Sequence, residues 1–153
     1  VIKRPVNAAV PTTGNGMLLE DVQDPGNIGT IIRCAAAAGL DWLLLNKGAA
    51  DVYSPKVLRA AMGGHFTLPI YTDVDAIAWT EQFTGRLWMT ALGHDSDSLY
   101  DLDLNQDGVW VMGNEGNGIS EPLLALAAKT VHIPISAHTE SLNVAMAATV
   151  CVF

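Results

Sequence analysis

A chain of 153 residues, half of them hydrophobic and 16% charged, has the composition of one folded globular domain and excludes a disordered segment. Its 8 basic and 16 acidic residues leave a net charge of −8, which argues against a general nucleic-acid binder with a basic surface throughout. No apolar run reaches the roughly 18 residues of a membrane helix, and no apolar signal-peptide core follows Lys3 and Arg4, so the expectation is a cytoplasmic chain with no membrane partner.

Short apolar segments alternate with helical patterns along the chain. Met17–Val22 reads as a first strand, Pro25-Gly26-Asn27 as a turn, and residues Ile28–Ala38 as a helix ended by Gly39. Trp42–Leu45 is a second strand; Ser54-Pro55 then predicts an N-cap and first helical position for a helix through Met62. Phe66–Tyr71 reads as a third strand with Pro69 marking an end or edge, and Asp73 opens a helix to Phe83. Leu87–Leu92 and Val109–Met112 are buried strands on either side of an acidic, irregular stretch, His94–Asp107. Ser120-Glu121-Pro122 opens a short helix to Ala128, Thr130–Ile133 is a last strand, and Ser141 caps a final helix that runs to Phe153. This alternation predicts an α/β domain with a mainly parallel sheet flanked by helices. Residues 1–16 lack periodicity and read as a linker, with the domain proper from 17 to 153.

Three polar, glycine-bearing loops interrupt this pattern, and open α/β sheets gather ligands at loops beyond the carboxyl ends of strands. The first, Asp24–Arg33, joins a strand to a helix. Arg33 lies about one and a half turns past Asn27, a spacing that lets both address one end of the helix. The second, Gly113-Asn114-Glu115-Gly116-Asn117-Gly118, follows a strand directly; its glycines permit close backbone approach to a ligand, and it matches neither GxGxxG nor the phosphate-binding GxxxxGK[ST]. The third is Ile133-Pro134-Ile135 followed by Ser141-Leu142-Asn143-Val144. Taken singly, each loop is equally open to a bland reading: a snorkelling arginine, a glycine turn, a capped core helix.

Other candidates weaken on inspection. Asp103-x-Asn105-x-Asp107-Gly108 imitates the start of a calcium loop, but its twelfth position is Asn114 in place of a bidentate glutamate. His65, His94, His132 and His138 show no paired-ligand spacing. Cys34 and Cys151 sit in apolar helical patterns and read as two buried free thiols, so no metal is expected.

In this order and at these distances, the three loops resemble the signature motifs of the SpoU branch of the SPOUT RNA methyltransferases. Asn27, Gly29 and Arg33 resemble N-x-G-x-x-x-R; Gly113, Glu115 and Gly118 resemble G-x-E-x-x-G; Ile133-Pro134-Ile135 with Ser141-Leu142-Asn143-Val144 resembles I-P-(M/I) and S-L-N-V. Ser54–Gly64 is similar to the family's segment after the second strand, and the likeness runs over about residues 17 to 153.

The resemblance implies a C-terminal deep trefoil knot and an obligate homodimer. It implies S-adenosylmethionine held near Leu92-Gly93, Gly113, Asn114, Glu115, Gly116, Ile133, Pro134, Ile135, Ser141, Leu142 and Asn143. It further implies methyl transfer to a ribose 2′-hydroxyl of structured RNA, tRNA or rRNA, with Arg33, Asn27, Glu115, Ser141 and Asn143 as site residues. Arg33 would act desolvated or by anchoring a substrate phosphate, Glu115 would pair with a nearby cation, and Ser141 and Asn143 would bond ribose or donor. Lys3, Arg4, Lys47, Lys56 and Arg59 could form a local basic strip, and residues 1–16 could be what joins the domain to an N-terminal RNA-binding one. Two alternatives stay open: a knotted methyltransferase acting on a base nitrogen, and a non-catalytic RNA-binding knot domain.

Overall fold

The computed structural model describes residues 9–93, 95–127 and 129–153. Among these, the strands are β1 (Gly16–Leu19), β2 (Trp42–Asn46), β3 (Ile70–Val74), β4 (Arg86–Thr90), β5 (Ser96–Ser98), β6 (Gly108–Met112) and β7 (Thr130–His132). They form one seven-stranded sheet in the order β3-β2-β1-β6-β4-β7-β5, with every pairing parallel. The helices are α1 (Pro25–Ala38), α2 (Pro55–Ala61), α3 (Ala76–Gln82), α4 (Glu121–Leu124) and α5 (Val144–Val152).

Both faces of the sheet are covered, which is why its central strands read as continuous apolar runs without alternation. Met17, Leu19, Leu43, Leu45, Trp110 and Met112 point into a core shared with α1, α2 and α5. Their sequence neighbours Leu18, Leu44, Val109 and Val111 point the other way, into a core closed by Trp79 of α3, Phe83 at its C-terminal end and Leu123 of α4. None of the helices among the described residues is long and apolar enough to cross a membrane.

The chain builds outward from β1 through β2 to β3, then crosses to the other side of the sheet for β4 and leaves a gap that β6 later fills. β1 thus has β2 on one side and β6 on the other. That reversal of strand order brings the loops after β1, β4, β6 and β7 together at one end of the sheet.

Several local expectations change. Pro25-Gly26-Asn27 is the first turn of α1 itself; the N-cap is Asp24, whose Oδ2 accepts from Asn27 N at 3.2 Å, and Pro25 takes the position where a missing N–H costs nothing. Phe66 belongs to a 3-10 turn, Gly64–Phe66, entered through Gly63 at φ 87°, and the third strand starts at Ile70. Asp73 lies inside β3 at φ 57°, and Asp75 caps α3 by accepting from Ala78 N at 3.1 Å. Ser96–Ser98, within the stretch read as irregular, is the edge strand β5. Asn143, not Ser141, caps α5. α4 stops at Leu124; the expected helix end at Ala128, like His94, lies outside the described residues. Cys151 is buried, and burial pushes its thiol up to about 12, but Cys34 is only half-buried.

Candidate active site

A cavity of about 570 Å³ opens at the carboxyl ends of β4, β6 and β7, within the size range of small-molecule sites. Leu92, Gly113, Asn114, Glu115, Gly116, Ile133, Ile135, Ser141, Leu142 and Asn143, all expected at a cofactor, line it. Gly93 and Pro134 do not, although each adjoins a lining residue. The wall mixes apolar side chains (Ile119 and Leu124 among them) with the backbone of a glycine-bearing loop, a lining suited to a flat heterocycle joined to a polar tail.

Glu115 ties the three loops into one unit. Its Oε1 accepts from Asp24 N at 3.0 Å and Asn27 Nδ2 at 3.3 Å, and its Oε2 from Gln23 N at 3.2 Å. Asn27 Oδ1 in turn accepts from Asn143 Nδ2 at 3.0 Å. Asn143 Oδ1 meanwhile accepts from Ala145 N at 2.9 Å and Met146 N at 3.2 Å, the free amides at the start of α5. Segments 27, 115 and 143 are therefore linked in series. The carboxylate serves backbone and side-chain amides, and no cation pairs with Glu115 among the described residues. Burial pushes the carboxyl upward, but the N–H groups of Asp24, Glu115 itself and Gln23, with the Asn27 amide, outweigh it and hold Glu115 below the usual carboxylate value.

The loop after β6 is closed on itself. Asn114 and Gly118 exchange backbone bonds at 3.0 and 2.9 Å, and Asn114 Oδ1 accepts from Gly116 N and Asn117 N. Asn114 Nδ2 donates to Asp21 O at 2.8 Å, binding the loop to the end of β1. A Cβ on Gly113 would stand 2.2 Å from Gly118 C and Ile119 N, so this position admits only glycine.

Arg33 departs from its expected place. With α1 starting at Pro25, Arg33 is well inside the helix, away from the end that carries Asn27. It is exposed, lines no part of the cavity, and finds no ion-pair or hydrogen-bond partner among the described residues. Ser141 and Asn143 both reach the cavity wall, and Asn143 is also bonded to Asn27 and to the α5 amides. Of the expected basic strip, Lys47, Lys56 and Arg59 are exposed, and Lys56 Nζ pairs with Asp24 at 3.6 Å; Lys3 and Arg4 lie outside the described residues.

Two pairs escaped the sequence reading. Glu20, at the end of β1, is buried and accepts from Ser120. His132 lines the cavity, and its Nδ1 meets Ser96 Oγ at 2.8 Å. That hydroxyl also donates to Gly93 O, so it can only accept from the ring, and Nδ1 carries the hydrogen. Neither partner is close in sequence, and no short motif announces the contact.

The sequence profile of the SpoU rRNA Methylase family matches residues 16–153. The chain belongs to this family. The 23S rRNA (guanosine(2553)-2′-O)-methyltransferase RlmP of Bacillus subtilis is 35% identical over 140 residues, covering 90% of this chain and 56% of its own. The 23S rRNA (uridine(2479)-2′-O)-methyltransferase of Streptomyces viridochromogenes is 34% identical over 145 residues, covering 90% and 50%. The chain thus spans about half the length of the curated relatives it matches. Among solved structures, the SpoU methyltransferase AviRb from Streptomyces viridochromogenes in complex with AdoMet superposes with a TM-score of 0.84 at 34% identity, covering 97% of this chain and 60% of that one. An AdoMet-bound rRNA methyltransferase from Sinorhizobium meliloti gives 0.82 at 34% identity, covering 94% and 56%.

Proposed function

We propose that this chain is the catalytic domain of an S-adenosylmethionine-dependent methyltransferase acting on a ribose 2′-hydroxyl of rRNA or tRNA. The observation that carries this reading is the series Glu115–Asn27–Asn143, which joins three sequence-distant motifs, with Glu115 and Asn143 in the lining of one cavity. Support comes from relatives named as 2′-O-methyltransferases and from AdoMet-bound neighbours of the same fold.

The cavity residues fit the donor: Leu92, Ile133, Ile135 and Leu142 offer apolar walls for its adenine, and the exposed backbone at Gly116 faces its polar portions. Bound S-adenosylmethionine supplies a methyl group on a cationic sulfur, an electrophile already activated, so the chain's own work is mainly positioning. Glu115 and Asn27 hold the loops that frame the approaching ribose. Arg33, whose guanidinium finds no partner among the described residues, anchors a substrate phosphate in a bidentate contact, and that phosphate helps take the hydroxyl proton.

The homodimer and the knot belong to the same proposal. Met146 and Val150 of α5, with Phe153 just past its end, leave an exposed apolar stripe at i, i+4 and i+7, suited to a second copy. α5 packs on α1, where Thr149 Oγ1 and Cys34 Sγ meet at 3.3 Å beside Arg33, so the arginine belongs to the same helical layer. Arg33 would then serve the partner's cavity. The late insertion of β6 between β1 and β4, followed by the return of α5 to α1, is compatible with a threaded C-terminal part.

Arg33→Ala is expected to abolish methyl transfer to rRNA while leaving donor binding by calorimetry unchanged; turnover near wild type would overturn the assignment. Digestion of the product and mass spectrometry should place the methyl on ribose, and a methylated base nitrogen would replace this reading by the related base-modifying one.

A further inference from the structure

Glu20 is a buried charged-type side chain that no part of the proposed chemistry uses. It is 7% exposed and sits just past β1. Its backbone N donates to Met112 O at 2.9 Å, the residue from which the loop after β6 departs. Its side chain reaches the place where that loop returns: Oε2 accepts from Ser120 N at 2.8 Å and Oε1 from Ser120 Oγ at 2.5 Å. One residue therefore binds both stems of loop 113–119, the entry through its main chain and the exit through its carboxylate.

Among the described residues, the other side chains and backbone groups that anchor the loop from outside it act on its first half, and its second half is tied back to Asn114. Asn114 is held by Asp21 and Glu115 by Gln23, Asp24 and Asn27. On the returning side stands Ile119, whose side chain is buried and lines the cavity, and then Ser120, whose carbonyl accepts from Leu123 N and Leu124 N to start α4. Leu124 also lines the cavity. Ser120 is the N-cap residue of α4, yet its hydroxyl makes no capping bond to the helix and is spent on Glu20. A buried carboxylate tolerates this setting only because both of its oxygens find donors.

We propose that Glu20 is a positioning residue for the donor: through Ser120 it fixes Ile119 and Leu124, one wall of the cavity, and so sets donor affinity without touching the reacting atoms. This rests on the donor-binding reading above. Removing the side chain should loosen that wall in the folded protein, whereas a purely architectural role would lower stability alone.

The test compares Glu20→Ala, Glu20→Gln and Ser120→Ala in the intact protein, well below their unfolding temperatures. Glu20→Ala is expected to raise the Kd and KM for S-adenosylmethionine about tenfold, with kcat at saturating donor within about threefold, the scale of one or two buried hydrogen bonds lost. Glu20→Gln should restore most of the affinity, because its carbonyl accepts from Ser120 N and its amide donates to Ser120 Oγ. Ser120→Ala, which loses one bond and keeps the other, should fall between and remains informative if Glu20→Ala does not fold. Unchanged donor affinity in Glu20→Ala, or equal damage in the alanine and glutamine variants, would overturn the proposal. Amide hydrogen exchange without donor separates the two readings: faster exchange at Ser120 in Glu20→Ala supports the clamp even if the wild type binds no donor, in which case the donor-binding reading fails instead.

Discussion

Glu115 is exposed, yet its carboxylate is the most heavily used acceptor of the site, with bonds from Gln23 N, Asp24 N and Asn27 Nδ2. A sequence shows side chains, and the natural guess for an acid among glycines is a cation partner. The donors that in fact hold it are mostly main-chain amides at the start of α1, where the helix end favours negative charge. The sign of its pH dependence follows from the direction of the shift. Its folded-state pKa lies below the ordinary 4.5, so the stabilisation is complete above that value and disappears as pH falls through the lowered one. Glu115→Gln should therefore be less stable than wild type at neutral pH, by less than about 1 kcal/mol because the group is solvent-screened. The difference should close in urea titrations as pH is taken below 4.5. A gap that widens on acidification would contradict this account of the carboxylate.

At the scale of elements, the contact of α1 with α2 sets where the first motif sits, and it depends on Gly29. A Cβ there would lie 2.4 Å from Ala60 Cβ and 2.8 Å from Val57 O, so the two helices approach only because that atom is missing. Gly29→Ala gains helix propensity of about 0.5–1 kcal/mol, but overpacking of this kind costs about 1–3 kcal/mol. A net loss is expected, read as a lower urea midpoint with an unchanged slope; an equal or higher midpoint would mean the helices can separate freely. The sequence shows Gly29 within a motif but not what it packs against. The same divide runs through the other elements. The strands at the sheet centre were legible because both faces are apolar, whereas Ser96-Asp97-Ser98 was not, since an edge strand carries no such signal. Ser141 and Asn143 are both good cap residues, and local chemistry could not choose between them; Asn143 wins because its amide also reaches Asn27 across the site. Which loops converge was readable from the motifs. The hydrogen bonds that join them, Glu20 to Ser120 included, depend on strand order and were not.

At the scale of the whole molecule, the placing of Arg33 becomes a question about two chains. Described residues of one chain line the cavity, but the arginine required by the proposed chemistry is exposed on α1, in the layer that also presents Met146 and Val150. An isolated subunit could then bind the donor and fail to transfer its methyl. Val150→Asp places a charge in the middle of the exposed α5 stripe, at a side chain 40% exposed, so the fold of the single chain tolerates it while a desolvated interface does not. Sedimentation velocity should show a monomer that retains donor affinity and has lost turnover. A subunit-mixing experiment gives the sharper result. Arg33→Ala keeps a sound cavity, and Leu142→Trp fills the cavity from a side chain 38% exposed while keeping its arginine. Each is inactive alone. If the arginine serves the partner's cavity, a mixed dimer contains one complete site, formed by the cavity of the first variant and the arginine of the second, and random mixing should recover about a quarter of wild-type turnover in a two-fold assembly. If it serves its own cavity, the mixed dimer contains no complete site and turnover stays at zero, which would return Arg33 to the cavity of its own chain through a movement of α1.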